Sequence, residues 1–187
     1  MARAFLPVQR RRSGRRLPQG RAGTLNPPYK GPAVAVIGEE EARQIFEMRV
    51  ALEGHAAPRM CASKVTADHV SRLEATVDQM SKAQKARDVN MQIRMIELFY
   101  EVLMEGAGNK LMANYLVSQR SRLARLRQVA LSRDDRAEVS VEEKRGIVAA
   151  IRARDAALAQ RLGEEHVENS AKIALAALPS AKLSGVE

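Results

Sequence analysis

The sequence predicts an all-α protein, an antiparallel bundle of about six helices. Leu, Ala, Met, Arg and Glu are its abundant residues, and all of them favour helix. Apolar residues recur at spacings of three and four over long stretches, which is the pattern of amphipathic helices. Strand-like alternation is short, the longest example being Ala33–Ile37. No apolar run approaches the roughly 18 residues needed to span a bilayer.

The N-terminal segment, residues 1–38, is predicted to be a disordered basic tail. Residues 1–30 contain eight Arg or Lys and no Asp or Glu, so they hold +8 of the net charge of +9. Low apolar content with high charge cannot bury enough surface to offset the entropy of ordering. A basic arm for nucleic acid and a solvated tail without a partner are both compatible with this pattern. Residues 179–187 are predicted to be a flexible C-terminus.

The first two helices are predicted over Glu39–Lys64 and Ala67–Arg87. Three glutamates begin the first helix, where they complement its dipole. Pro58 removes a backbone donor, so a bend is expected near the end of this helix. Thr66 is the predicted N-cap of the second helix.

The third helix and the turn after it are predicted from the segment Met91–Met112. Apolar residues repeat along it until Gly108, which suits a left-handed C′ position. Asn109 suits the N-cap of a fourth helix that extends to Leu131. So short a link makes the third and fourth helices antiparallel neighbours. Four arginines alternate around the fourth helix: Arg120, Arg122, Arg125 and Arg127. This pattern is typical of a solvated face, and the alternative is that one of them lines the mouth of a pocket.

The last two helices are predicted after a polar loop over Ser132–Val139. Ser140 and Glu143 form the pattern of a capping box, which predicts a helix start at Ser140. This fifth helix ends near Arg154. Asp155 is the predicted N-cap of the last helix, which extends to Leu178.

Composition excludes several classes of protein. The single cysteine rules out an internal disulfide, and no signal peptide is recognisable, so a reducing cytoplasm is the expected compartment. No nucleophile–base pair and no glycine-rich phosphate loop appear. The chain is therefore predicted not to be an enzyme and to need no cofactor.

Several segments resemble the FCD class of effector-binding domains found in GntR-type bacterial transcription regulators. That class typically has Asp-x-x-Phe-His, an apolar run and Gly-Asn-x-x-Leu, and here Phe99, Gly108 and Asn109 fit this frame. Arg49 and Glu53 fit its Arg-x-x-Leu-Glu signature. Four positions of the last two helices also match, and so does a distal histidine: Ile147, Ala150, Ile151, Asp155 and His166. The resemblance covers about residues 39–176, and the winged helix-turn-helix usual in such regulators is expected to be missing from this chain.

In many FCD domains one Asp and three His bind a divalent metal inside the bundle. The resemblance places these four ligands at Ile96, Tyr100, Lys144 and His166. An alkane side chain cannot coordinate a metal, and a lysine ammonium would repel it by roughly 4 kcal/mol at about 4 Å. We therefore expect no bound metal.

The same substitutions suggest a cationic pocket instead. Lys144 could replace the metal as the positive element and, with Arg49, Tyr100 and His166, bind a small carboxylate effector through charge-assisted hydrogen bonds. Two alternatives stay open: the pocket has decayed, or Lys144 extends to solvent.

The resemblance implies the ligand-sensing and dimerisation domain of a transcription regulator, with DNA binding inferred from the family alone. A homodimer and a small organic acid are the expected partners, and no membrane is expected. Two alternatives stay open: a stand-alone module that dimerises with full-length paralogues, and a nonspecific nucleic-acid binder acting through the basic tail. The sequence does not identify the effector, the operator or the regulated pathway.

Overall fold

The computed structural model describes residues 37–62, 64–131 and 134–178. Over these residues the chain forms seven α-helices and no strand, which confirms the all-α prediction. The helices are α1 (Glu39–Arg59), α2 (Ala67–Lys85), α3 (Val89–Ala107), α4 (Lys110–Ser118), α5 (Arg120–Leu131), α6 (Asp134–Arg152) and α7 (Ala156–Ala177). None of them is apolar over a length that could cross a membrane.

Four helices begin at a local side-chain cap, and three of these caps, Thr66, Asn109 and Asp155, were predicted. Thr66 is the N-cap of α2, and Asp88 accepts a hydrogen bond from the amide of Met91 in α3. Asn109 and Asp155 cap α4 and α7 in the same way. Gly108 has a φ of 68°, the left-handed conformation expected between α3 and α4.

The predicted fourth helix was wrong in one respect, because it is two helices that meet at Gln119. The Ser118 hydroxyl donates to the carbonyl of Tyr115, and such back-bonding competes with the helical ladder. Gln119 ends α4 with φ −95° and ψ 3°. This break accounts for seven helices where about six were expected.

The predicted loop over Ser132–Val139 and the capping box at Ser140 were also wrong. The helix α6 begins at Asp134, so Ser140 lies inside it and is buried. Of the predicted loop, residues 132 and 133 lie outside the described residues. Arg136 of this segment donates a hydrogen bond to Ser170 on α7, a partner that the local pattern does not reveal.

Two apolar clusters form the core. The larger one joins α2, α3 and α6 with the C-terminal half of α1. The smaller one joins the start of α1 with α5 and α7, and it includes Ile37. The rest of the predicted tail, residues 1–36, lies outside the described residues. A group of buried charged side chains lies between α1, α5, α6 and α7.

Candidate functional site: a buried cationic cavity

Lys144 is at the centre of the buried charged group. It lies on α6 and is 1% exposed, so the alternative in which it reaches solvent is excluded. The described residues offer its Nζ two acceptors at 2.9 Å, the Ser140 hydroxyl and Nε2 of His166. Two acceptors match the two donors of a neutral amine, whereas an ammonium has three. Burial, with the charges of Arg136 and Arg49, lowers the pKa of Lys144 well below its usual value.

The other ring nitrogen of His166 is held by Glu143. Its Nδ1 is 2.5 Å from Glu143 Oε2, which also lies 2.8 Å from Nη2 of Arg136. Burial opposes ionisation of Glu143, but these hydrogen bonds outweigh it and lower its pKa to about 2. Burial and Lys144 lower the pKa of His166 to about 3. The imidazole is therefore neutral, protonated at Nδ1, and presents the lone pair of Nε2 to Lys144.

Arg49 forms a second buried group with Glu53 and Tyr100. Its Nε is 2.7 Å from Glu53 Oε1, and its Nη2 donates to the Tyr100 hydroxyl at 3.3 Å. The guanidinium lies 5.4 Å from the ring centre of Phe46 and 5.7 Å from that of Tyr100. Burial disfavours the charged form, but Glu53 and Tyr100 outweigh it and raise the pKa of Arg49 above its usual value.

Arg127 approaches Tyr100 from α5. Its guanidinium is 5.3 Å from the centre of the Tyr100 ring, and the side chain is 9% exposed. Burial and the nearby charge of Arg49 lower the pKa of Arg127 to about 10, so it remains charged at neutral pH. Among the described residues, no acceptor forms a hydrogen bond with its Nε. Glu97 Oε1 is 4.0 Å from its Nη1, which is too far for a hydrogen bond.

These side chains surround one interior cavity. Its volume is about 20 Å³, which is room for about one water molecule. No Asp or Glu is among its lining residues. Its polar lining consists of Arg49, Arg127, Arg136, Ser140, Lys144, His166 and Ser170.

The structure brings three of the four predicted site residues to this cavity: Arg49, Lys144 and His166. Tyr100 contacts Arg49, but it lines a different space, an apolar cleft of about 260 Å³ between α3, α4 and α5. Arg127 lines both spaces.

The residues around the cavity do not suit a divalent metal. Ile96 lines the cavity but has no atom that can coordinate a metal. The hydroxyl of Tyr100 accepts a hydrogen bond from Arg49. The Nε2 of His166 is occupied by the amine of Lys144. Within the described residues, no three His, Cys, Asp or Glu side chains converge in a way that could hold a metal ion. The donor set suits an anion better than a cation.

Arg136 was not predicted from the sequence as a cavity residue, and Arg127 was not distinguished from the other three arginines of its predicted helix. Arg136 lies in the segment predicted to be a loop, and its partners Glu143 and Ser170 lie on α6 and α7. A signal for Arg127 was present. It falls four residues after Leu123 and three before Ala130, on the buried stripe of α5.

Comparisons with known proteins agree with this fold. Residues 44–169 match the family model described as the FCD domain. The chain resembles the structure of E. coli McbR/YncC with a TM-score of 0.65 and 17% identity over 74% of this chain and 69% of that chain. It resembles Streptococcus agalactiae GntR with a TM-score of 0.59 and 23% identity, over 70% of this chain and 58% of that one.

A third similar structure is the metal-free FCD domain of TM0439, a proposed transcriptional regulator. Its TM-score is 0.62 and its identity 17%, over 77% of this chain and 98% of that chain. At these identities the structural likeness shows the fold alone. Among curated proteins, none matches this sequence significantly.

Proposed function

Because this chain belongs to the FCD domain family, we propose that residues 39–178 form the effector-sensing domain of a GntR-type transcription regulator. We infer that the effector is a small carboxylate, bound without metal in the interior cavity. The domain acts as a sensor, with no catalytic step.

The excess of positive groups around the cavity carries this proposal. Four basic side chains line it, and only two of them, Arg49 and Arg136, form hydrogen-bonded pairs with carboxylates. Arg127 is charged and has no such partner among the described residues. Lys144 is neutral in the free protein and becomes charged beside an anion. Buried charges are stable when paired, so an anion in the cavity would be stabilised by Arg127 and by protonated Lys144. A carboxylate suits it, because its two oxygens accept several charge-assisted hydrogen bonds.

Binding changes the protonation of Lys144. In the free protein the amine donates to Ser140 and His166, and burial favours its neutral form. A carboxylate beside it favours the ammonium and supplies the third acceptor. The bound complex therefore holds one more proton than the free protein, over the pH range between the two pKa values of Lys144.

Binding also requires the helices to move. A cavity with room for about one water molecule cannot admit even a small acid unless its walls separate. The lining comes from α1, α3, α5, α6 and α7. A ligand that binds the wider arrangement more tightly shifts the population toward it. In a dimeric regulator this shift would change the spacing of attached DNA-binding domains.

A thermal-shift screen tests the proposal. The full chain is heated with acetate, lactate or malonate, with chloride at equal ionic strength as the control. At least one acid is expected to raise Tm, because a ligand that binds only the folded state stabilises it by about 2.7 kcal/mol at 100 times Kd. Lys144→Met should abolish the shift, whereas Lys82→Met, at an exposed site on α2, should preserve it. Shifts that persist in Lys144→Met, or no shift with any acid, contradict the proposal.

A further inference from the structure

The apolar cleft between α3, α4 and α5 is a separate space with its own chemistry. One face of α3 contributes Tyr100 and Met104, and α4 contributes Leu116 and Val117. Leu123 of α5 closes it on the third side. Its volume of about 260 Å³ is more than ten times that of the interior cavity, and it is accessible from solvent at Val117, which is exposed.

A side chain that lines the cleft has one buried nitrogen without a hydrogen bond. Arg127 lines it, is 9% exposed, and its Nε has no acceptor among the described residues. An unsatisfied donor on a buried cation is destabilising, so this guanidinium is suited to an acceptor that arrives with a ligand. Glu97 does not fill this role, because it lies 4.0 Å from Nη1 and also 3.8 Å from Arg120.

Three glutamates line the cleft, and each lies near a guanidinium. Glu97 lies 3.8 Å from Arg120 and 4.0 Å from Arg127. Glu101 forms a hydrogen-bonded ion pair with Arg120, and Glu105 forms a two-point ion pair with Arg72, with its shorter contact at 2.8 Å. Each of these exposed carboxylates is thus balanced by an adjacent guanidinium.

We propose that this cleft is a second binding site, for an aliphatic monocarboxylate. The carboxylate would bind Arg127, and the hydrocarbon chain would lie between Met104, Leu116 and Leu123. The combination of one buried cation with apolar walls matches a molecule that has one charged end and an apolar body. Because Arg127 also lines the interior cavity, a ligand in the cleft would contact a wall of the effector site. The proposal does not depend on binding in the interior cavity.

Calorimetric titration of the full chain with butyrate, hexanoate and octanoate, each below its micelle concentration, tests this site. Each methylene buried in the cleft is expected to tighten Kd by about fourfold, the equivalent of ~0.8 kcal/mol. Octanol has the same apolar body without the charge and is expected to bind at least tenfold more weakly than octanoate. Arg127→Met should remove this preference for the acid. Arg122→Met, at an exposed position of the same helix, should retain it.

Two further variants separate this site from its alternatives. Ala113→Phe should block the cleft from α4 and abolish octanoate binding, which provides a test even if Arg127→Met does not fold. Lys144→Met should leave octanoate binding unchanged. Loss of octanoate binding in Lys144→Met would overturn the cleft site, because octanoate would then bind in the interior cavity.

Other outcomes also overturn the proposal. One is an equal Kd for butyrate, hexanoate and octanoate. Another is octanoate binding that is unchanged in Arg127→Met or in Ala113→Phe. If octanoate does not bind, and sedimentation shows that Ala113→Phe dissociates a dimer, the cleft is covered by a second copy of this chain. If octanoate binds through Arg127 but no small acid binds, the proposed function is contradicted and the cleft site is not.

Discussion

Replacing Glu53 by leucine is expected to lower the free energy of unfolding by about 3–5 kcal/mol. Glu53 is buried on α1, and its carboxylate lies 2.7 Å from Nε of Arg49, which is 3% exposed. Without it Arg49 would keep a buried charge near Arg127, with the Tyr100 hydroxyl as a neutral partner. Urea unfolding followed by circular dichroism measures the change, provided that the transition remains two-state.

A double-mutant cycle separates the loss of pairing from the loss of volume. The combined variant Arg49→Met with Glu53→Leu removes both charges, and is expected to recover most of the stability that Glu53→Leu loses. Asp78→Ala breaks the exposed pair between Asp78 and Arg145, and should cost less than about 1 kcal/mol. If Glu53→Leu also costs less than about 1 kcal/mol, Arg49 is not held as a buried charge.

Acidification is expected to destabilise the protein well above the pH at which carboxylates titrate. An unfolded histidine has a pKa near 6.5, whereas burial and Lys144 lower the pKa of folded His166 to about 3. Between these values the unfolded state binds a proton that the folded state does not, so stability falls as pH falls, by at most roughly 1.4 kcal/mol per pH unit. Below about 4.5 the lowered pKa of Glu143 adds a loss in the same direction.

Urea unfolding at intervals from pH 7 to pH 4 measures this dependence. His166→Gln should reduce the slope between pH 6.5 and pH 4.5, because the neutral amide does not titrate there. His55→Gln, at an exposed position of α1, should leave the curve unchanged. Lys144 acts in the same direction, because stability rises with pH from its lowered pKa in the folded protein up to its usual pKa of 10.5. A curve that is flat between pH 6.5 and pH 4.5 in the native sequence would contradict a buried neutral His166.

The helices could be predicted wherever the local sequence contains their cap. Asp88, Asn109 and Asp155 each accept a hydrogen bond from a backbone amide two or three residues ahead, so these starts depend on neighbours in sequence. Ser140 has the same local signature, but its hydroxyl accepts from Lys144 inside α6. A capping-box pattern predicts a helix start only when the residues before it are not themselves helical.

The cavity residues could be predicted only in part. Some occupy positions of the family pattern, whereas Arg136 depends on a partner that is distant in sequence. Arg49, Lys144 and His166 were identified through their positions in the family pattern, and all three line the interior cavity. Arg136 was missed, because its partner Ser170 is 34 residues away and polar neighbours resemble a loop. The resemblance also gave no size for the cavity, which depends on how closely the helices pack around it.

Calorimetric titration of the chelator-treated chain with the best acid from the thermal-shift screen tests whether the interior cavity binds a carboxylate without metal. The titration is repeated at pH 8.5 in two buffers with different enthalpies of ionisation, which reports the protons taken up on binding. Binding is expected to survive removal of metals, with uptake of up to one proton. Both the binding and the proton uptake should disappear in Lys144→Met. Binding that is lost on chelation and restored by zinc, or binding without proton uptake, would contradict a metal-free site built around Lys144.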